Sequence, residues 1–331
     1  MSLYDRLEEG LVIPAHPLAL TKDKQLDEEI QRKLTRYYLD AGAGGLAVGV
    51  HTTQFEIRDP EHDLFEPVLK TVMDEVKQHK PETLCVAGIC GDTEQAVKEA
   101  TIAKNLGYDI GLLSFGGLDD WTEASLLKHA EAVGDVIPLF GFYLQPAVGG
   151  RHLSYSFWEA FAKIPAVTAI KVAPFNRYKT LDVVRAVCQA GRSDSISLYT
   201  GNDDHMIADL LESYTVKAGG KTVTKQFAGG LLGQWAVGTG RAVQLLDEIL
   251  QQRKKGAVPS HLLNLNTRMT DVNAAIFDAD NDFKGSIAGI HYVLAKQGII
   301  SLTHCLSDKE VLSPGQADAI DRVMNEHADL F

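Results

Sequence analysis

The chain has 331 residues, 45% of them hydrophobic and 23% charged, which is a globular composition with room for one large core or two smaller ones. Its formal net charge is -12 and it has no lysine- or arginine-rich block, so nucleic acid and anionic membrane surfaces are expected to be poor partners. No apolar run approaches the roughly 20 residues of a membrane span, and the opening residues lack a signal-peptide pattern, so we expect a soluble, cytoplasmic protein.

Short β-rich segments alternate with helical patterns along most of the chain. The eight predicted strands, each followed by a helical pattern, are 11–16, 45–50, 83–90, 110–116, 136–144, 167–173, 195–203 and 222–230. Eight such units in about 250 residues are typical of a (β/α)8 barrel. A doubly wound open sheet also alternates, but it usually carries a G-x-G-x-x-G turn after an early strand, and none follows 11–16 or 45–50. The sequence therefore predicts an α/β TIM barrel.

The pattern changes after about residue 257. Three helical stretches follow the loop sequence "GAVPS", and no further β-rich segment accompanies them. We therefore predict a barrel over 1–257 that carries the active site, and a C-terminal helical extension over 258–331.

One predicted strand, "VTAIKVA" (167–173), holds a lysine inside an apolar run. Alternate strand residues face opposite sides, so Lys171 shares a face with small alanines while the branched Ile170 and Val172 take the other. The same alternation in the preceding strand suggests that Tyr143 faces the barrel interior beside Lys171. A rim lysine in contact with solvent is the alternative interpretation.

A buried lysine beside a tyrosine has a definite chemical use. Free lysine has a pKa near 10.4, so roughly one amine in a thousand is neutral at pH 7. Burial lowers that pKa and frees the amine to attack a carbonyl and form a Schiff base. Tyr143 could then carry protons to and from the intermediates.

Several motifs together resemble one known family. They are "FYLQP" around Tyr143, "AIKVA" around Lys171, "YTGNDD" from 199 to 204, and "VGVHTTQFE" from 48 to 56, followed by the helical C-terminal part. The chain is similar to the dihydrodipicolinate synthase and N-acetylneuraminate lyase family of class I, Schiff-base aldolases, and the resemblance runs over most of its length.

The resemblance implies roles for particular residues. It makes Lys171 the Schiff-base residue and Tyr143 its proton shuttle, with no bound cofactor and no metal. Thr52 and Thr53 would hold the carboxylate of an α-keto acid such as pyruvate, although a simple turn also explains the pair. The residues implied for binding the rest of the substrate are Gly201 and Asp203, and a helix cap is the alternative for Asp204. A homo-oligomer, either a dimer or a tetramer, is implied as well.

The sequence also departs from the family pattern. Phe115 and Gly116 stand where many members carry a tyrosine pair, and Val148 stands where an arginine binds a second carboxylate. Arg151 lies nearby in a different register and is a candidate for substrate binding. We therefore expect not authentic dihydrodipicolinate synthesis but aldol cleavage or formation, or dehydration, on a related keto acid.

Other residues leave alternatives open. By parity, His51 joins the inner face and could relay a proton, whereas His16 is better explained as a core or rim residue. The clusters 59–63 and 203–205 hold metal-ligand residue types and raise a metal-dependent barrel lyase, but their members are expected to be too close in sequence to converge on one ion. The four cysteines show no C-x-x-C spacing. A keto-acid-binding barrel without catalysis is the remaining alternative.

Overall fold

The computed structural model describes residues 1–301 and 303–331. The strands are β1 (Val12–Pro14), β2 (Gly45–Val48), β3 (Leu84–Ile89), β4 (Ile110–Leu113), β5 (Leu139–Leu144), β6 (Val167–Ala173), β7 (Ser197–Thr200), β8 (Tyr214–Ala218), β9 (Lys221–Lys225) and β10 (Phe227–Leu232). The helices are α1 (Leu3–Glu8), α2 (Glu28–Asp40), α3 (Phe65–His79), α4 (Thr93–Leu106), α5 (Glu123–Gly134), α6 (Tyr155–Ala162), α7 (Arg177–Gln189), α8 (Met206–Leu211), α9 (Thr239–Lys255), α10 (Ser260–Ile276), α11 (Ser286–Lys296) and α12 (Gln316–Glu326).

Eight of the strands form one sheet in the order β1-β10-β7-β6-β5-β4-β3-β2. A parallel bridge joins Ala15, just beyond β1, to Ala47 in β2, so the two end strands of the sheet also approach each other. Eight parallel strands with intervening helices form a nearly closed (β/α)8 barrel, followed by C-terminal helices, and the fold prediction is confirmed.

Local sequence signals explain where the outer helices begin. A short polar side chain accepts a hydrogen bond from a backbone N–H in the first turn, which satisfies a donor that the helix itself cannot pair. The capping residues are Asp27 for α2, Asp92 for α4, Thr122 for α5, Ser154 for α6 and Asn176 for α7. The strands between these helices are almost entirely buried, as expected of a parallel sheet covered on both faces.

By contacts the chain divides into two compact units, and the first comprises Met1–Leu11 and Val86–Leu231. Within it, α1 lies against the amino-terminal ends of β6 and β7. The Tyr199 hydroxyl donates to the Leu7 carbonyl at 2.6 Å, and the Ser197 hydroxyl donates to Glu8 at 2.7 Å. Lys225 pairs with the same Glu8 carboxylate group at 3.3 Å. Helix α1, which was not predicted from the sequence, therefore packs against the ends of β6 and β7 in this unit.

The predicted eighth strand, 222–230, is wrong as a single element. Lys221–Lys225 pairs with Tyr214–Ala218 as an antiparallel hairpin, and only Phe227–Leu232 joins the barrel sheet. The turn of the hairpin is Gly219–Gly220, with φ of +55° and +77°, the backbone region that glycine adopts without a steric penalty.

The second unit comprises Val12–Cys85 and Leu232–Phe331. His16 is fully buried in it, with Nε2 at 2.9 Å from the Thr35 hydroxyl, so the interpretation of His16 as a core residue is confirmed. Helices α10 to α12 occupy the three predicted helical stretches, while the domain boundary at residue 257 stays a prediction. Among the described residues, none of the helices combines the length and the apolar character that crossing a bilayer would require.

Candidate active site

Strand β6 places Lys171 on the inner face of the barrel. In the register of β5 and β6, Gly141 lies opposite Ile170, and Phe142 lies opposite Lys171. A Cβ built on Gly141 would lie 2.5 Å from the Phe161 ring of α6 and 3.4 Å from Ile170. That face therefore meets the outer helices, and Lys171 points the other way, as its strand parity predicts.

The Lys171 amine lies in an apolar pocket. Its Nζ is 4.4 Å from the centre of the Phe142 ring, and the residue is 9% exposed. A Cβ built on Gly201 would come within 2.5 Å of the Lys171 Cε and 2.8 Å of the Ala173 Cβ, so only a glycine fits beside the lysine. Burial lowers the pKa of Lys171 from 10.5 to about 8, because an ammonium group loses hydration there, while Asp203 acts in the opposite direction.

The turn after β7 begins beside this lysine. Asn202 fixes the turn, since its Nδ2 donates to Asp209 at 2.9 Å and its Oδ1 accepts from the Phe175 N–H at 3.0 Å. Gly201 abuts Lys171, and the Asp203 carboxylate acts electrostatically on it. The structure therefore places two predicted site residues, Lys171 and Gly201, side by side, and Asp203 follows in the same turn.

The prediction that Tyr143 faces the barrel interior is wrong. Tyr143 lies opposite Val172 in the register, on the face that meets the helices, and its ring is 5.1 Å from that of Trp158. Its hydroxyl donates to the Leu153 carbonyl at 3.3 Å and accepts from the Leu153 N–H at 3.4 Å. Tyr143 is 1% exposed, and burial raises its pKa. Phe142, which the sequence reasoning missed, stands beside the lysine instead.

The turn after β2 holds the predicted carboxylate-binding pair. The Thr53 hydroxyl accepts from the Gly49 N–H at 2.9 Å and donates to the His16 carbonyl at 2.7 Å, so it fixes the turn. The Thr52 hydroxyl is buried and has no hydrogen-bond partner in the described part of the chain. Thr52 is therefore the member of the pair with a hydrogen bond left to give to a ligand.

His51 does not follow the alternation of β2. The strand ends at Val48, Gly49 has a φ of +76°, and His51 opens a 3-10 helix over His51–Thr53. Its half-buried ring lies 5.9 Å from that of Phe55. The parity argument for His51 therefore fails, because strand geometry does not continue that far.

Arg151 ties two loops together. Its guanidinium donates to the carbonyls of Leu118 and Trp121, the latter at 3.1 Å, and so joins the loop after β4 to the loop after β5. Asp204 is not a helix cap, since His205 holds that position before α8 and makes no capping bond.

Metal-ligand residue types converge at three places among the described residues. Within the cluster 59–63 this is contrary to the expectation from spacing, whereas of the cluster 203–205 only His205 takes part in such a group. The groups are Asp59 with Glu61 and His62, His205 with Asp209 and Glu212, and Asp271 with Glu326 and His327. In the second group, Arg177 already pairs with Asp209, and the Tyr214 hydroxyl donates to Glu212 at 2.6 Å. Arg177 balances the charge of Asp209 and Tyr214 takes up part of the hydrogen-bonding capacity of Glu212, so we interpret this group as an ion-pair and hydrogen-bond network.

A scan of protein families gives a match to the dihydrodipicolinate synthetase family over residues 10–307. The fold defines a (β/α)8 barrel with a buried lysine at its inner face, and the match identifies the class of protein. The chain belongs to the dihydrodipicolinate synthetase family and is an aldolase-type lyase.

Solved structures of low sequence identity share this fold. Dihydrodipicolinate synthase from Oceanobacillus iheyensis superposes with a TM-score of 0.79 at 15% identity, covering 98% of this chain and 99% of that one. A prophage protein of the dihydrodipicolinic acid synthase family from E. coli, in complex with pyruvate, gives 0.77 at 18% identity, with 97% and 99% covered. N-acetylneuraminate lyase from Fusobacterium nucleatum gives 0.73 at 15% identity, with 96% and 99% covered.

Proposed function

We propose that this protein forms a Schiff base between Lys171 and an α-keto acid, pyruvate or a close relative, and then makes or breaks a carbon–carbon bond. The observation that carries the proposal is the buried Lys171 amine, held against the Phe142 ring and beside Gly201. A pKa of about 8 leaves roughly one amine in ten neutral at pH 7, a few hundredfold more than for free lysine.

The chemistry follows from that neutral amine. It adds to the C2 carbonyl of the keto acid, and loss of water gives a protonated imine. In the cleavage direction, a proton leaves the C4 hydroxyl, the C3–C4 bond breaks, and its electron pair flows to the imine nitrogen to give an enamine and an aldehyde. Protonation at C3 and hydrolysis of the imine release the keto acid and return the amine. Dehydration of a hydroxy keto acid would instead begin with loss of a C3 proton from the imine, which gives an enamine that still carries C4, and the C4 hydroxyl would then take up a proton and leave as water.

The substrate is expected to differ from that of dihydrodipicolinate synthesis. Phe115 packs its ring against Phe157 and Phe161 of α6, and a Cβ on Gly116 would lie 2.5 Å from the Gly149 carbonyl oxygen. A tyrosine pair therefore has no place there. The aldehyde half of the substrate thus does not depend on the hydroxyls that many family members supply.

A keto-acid-binding barrel without turnover is the second candidate. The outward position of Tyr143 favours it, because the proton shuttle implied by the family resemblance is missing from the lysine pocket. Turnover that depends on Lys171 would exclude this candidate, and calorimetric binding of keto acids without turnover would favour it. Activity that survives Lys171→Ala and is lost with a chelator would instead favour a metal-dependent lyase.

The decisive experiment is reductive trapping. The protein is incubated with pyruvate and borohydride, and peptide mapping by mass spectrometry is expected to find the adduct on Lys171. Lys171→Ala should abolish the adduct. Lys225→Arg is the matched control, because Lys225 is also buried but pairs with Glu8 at 3.3 Å, and it should leave the adduct in place. Absence of any adduct across a panel of α-keto acids would refute the proposal.

Several further points belong to the same proposal. Catalysis needs no bound cofactor or metal, since the lysine supplies the covalent link to the substrate. The family resemblance assigns the keto-acid carboxylate to Thr52 and Thr53, and that assignment stays a prediction that loss of binding in Thr52→Val would support.

We also expect a homo-oligomer, a dimer or tetramer, in the cytoplasm, which sedimentation and fractionation would test.

A further inference from the structure

We propose that Gln54 is a positioning residue for keto-acid binding. Its side chain ties the turn that carries Thr52 to the backbone of Leu306 in the C-terminal part of the chain, and this tie sets how tightly the keto acid is held. The inference rests on the proposed function, in which Thr52 meets the carboxylate of the keto acid. It adds to that function a residue that acts through Thr52 and not on the reacting atoms.

Gln54 closes the turn after β2. Its N–H donates to the His51 carbonyl at 2.9 Å, and the hydroxyl of the preceding Thr53 bonds to two backbone groups. Thr52 comes just before these two anchored residues. The Thr52 hydroxyl is buried and has no hydrogen-bond partner within 1–301 and 303–331. The place of this hydroxyl is therefore set by the residues that follow it in the turn.

The side chain of Gln54 joins this turn to the C-terminal part of the chain. Its Oε1 accepts from the Leu306 N–H at 2.6 Å. Gln54 is fully buried, and Leu306 is 4% exposed. Water cannot replace a hydrogen bond in such a place, so loss of the acceptor leaves the Leu306 N–H unpaired and favours movement of one segment away from the other.

Leu306 is also held from the loop after β1. Its carbonyl accepts from the Lys24 Nζ at 2.7 Å, and the same amine pairs with Asp308 at 2.5 Å. The neighbouring Cys305 is buried, with its Sγ at 3.8 Å from the Nδ1 of His291 in α11. The backbone at Leu306 is therefore held on several sides, and Gln54 bonds to a fixed point.

Gln54 destabilises the fold locally in two ways. Its φ is +68° and its ψ is +124°, a backbone conformation that residues with a side chain rarely adopt. Its Nε2 is buried and has no hydrogen-bond partner in the described part of the chain. A glycine would adopt this backbone without strain. The bond to Leu306 is what the glutamine provides and a glycine would lack, so the strained position indicates a role for that bond.

The test measures reductive trapping over a range of pyruvate concentrations. Gln54→Gly removes the bond to Leu306 together with the backbone strain, so this variant is expected to fold. The pyruvate concentration for half-maximal trapping should rise about tenfold, the effect of losing one buried hydrogen bond. The trapping rate at saturating pyruvate should stay within about twofold of wild type, because the substitution leaves Lys171 unchanged. A general loss of folded protein would do the opposite, lowering the saturating rate alone.

Two further variants separate the bond from the backbone. Gln54→Leu keeps the strained backbone and most of the buried volume but offers no acceptor, so it should raise the half-maximal concentration at least as far as Gln54→Gly. Asp282→Gly is the matched control. Asp282 also has a positive φ, +54°, and lies exposed in the same compact unit, so a glycine there relaxes a similar backbone position outside the turn. Both trapping parameters of this control should equal those of the wild type.

The outcomes divide clearly. A half-maximal concentration within about twofold of wild type in either folded Gln54 variant would overturn the inference. An equal rise in Asp282→Gly would overturn it too, because the effect would not belong to the turn. A lower saturating rate with an unchanged half-maximal concentration would show that Gln54 does not act on binding. Failure of the wild type to form any adduct would refute the proposed function itself, and this inference with it.

Discussion

Gly201 shows how one missing side chain shapes the site. An added Cβ would lie 2.5 Å from the Lys171 Cε and 2.8 Å from the Ala173 Cβ. The lysine chain could rotate away from it, but the alanine methyl group cannot, so Gly201→Ala forces either the strand or the amine to move. We expect a loss of about 1–3 kcal/mol in stability, typical of overpacking, together with at least a tenfold slower trapping of pyruvate.

The control for this change is Gly240→Ala. Gly240 lies in helix α9, and a Cβ there meets no atom within 4 Å. Gly240 is in the first turn of α9, where alanine fits the helical backbone and restricts the unfolded chain more than glycine does, so Gly240→Ala should raise stability by about 0.5–1 kcal/mol and leave trapping unchanged. If Gly201→Ala traps pyruvate at the wild-type rate, the close packing beside Lys171 has no part in placing the amine.

Of the residues in the candidate active site, some could be predicted from the sequence and others could not. Lys171 stood out because it is a charged residue in an apolar strand, with an alanine on each side of it on its own face, and its face was correctly assigned. Phe142 gave no such signal, since an aromatic residue in a buried strand is ordinary core composition. The different roles of the two threonines could not be predicted either. The Thr53 hydroxyl forms hydrogen bonds with the backbone, and these bonds exist only in the folded loop.

Strand β5 explains why the tyrosine prediction failed. Both faces of a barrel strand are buried, so alternation separates two faces without saying which one is inner. The register between β5 and β6 also shifts between Leu139 and Phe140, so counting residues from one strand to the next does not transfer the face. Only the pairing of Phe142 with Lys171 resolves the question, and that pairing is a property of the assembled sheet.

Removal of the tyrosine hydroxyl tests this assignment. Tyr143→Phe loses two long hydrogen bonds to Leu153, at 3.3 and 3.4 Å, and should cost about 1 kcal/mol of stability in urea unfolding. Because the hydroxyl faces the helices, two rates should stay within about threefold of wild type: adduct formation on Lys171, and exchange of the pyruvate methyl protons for deuterium in D2O. A proton shuttle would instead lose 10²-fold or more in the exchange rate. A large loss of this proton exchange with imine formation intact would mean that Tyr143 does transfer protons in the reaction.

At the scale of the whole molecule, the barrel was predictable because the signal repeats. Eight apolar strands, each followed by a helical pattern in the sequence, support the same architecture, so an error in one unit does not change the fold. The hairpin of β8 and β9 was missed because its strands are continuous in composition with β10. Its only marker was the glycine pair at 219–220, whose positive φ becomes visible in the structure.

Two buried histidines make stability depend on pH. His16 and His291 are both fully buried, and the loss of hydration lowers the pKa of each from 6.5 to about 4. The unfolded chain takes up protons near pH 6.5 while the folded chain does not, so these residues cost nothing above pH 6.5 and destabilise the fold as pH falls towards 4. Glu310 opposes them, since burial raises its pKa to about 7 and its proton stabilises the folded state between pH 7 and 4.5.

A variant isolates the histidine contribution from that of Glu310. In His291→Leu one buried titration is removed, while His16 and Glu310 remain in both proteins. Between pH 7.5 and pH 5 the wild type should lose about 2 kcal/mol more stability than the variant, since each histidine accounts for roughly 1.36 kcal/mol per unit of pH between its two pKa values. Urea unfolding at both pH values measures this difference directly. Equal losses in the two proteins would mean that His291 is protonated in the folded state, and that its burial does not hold the ring neutral.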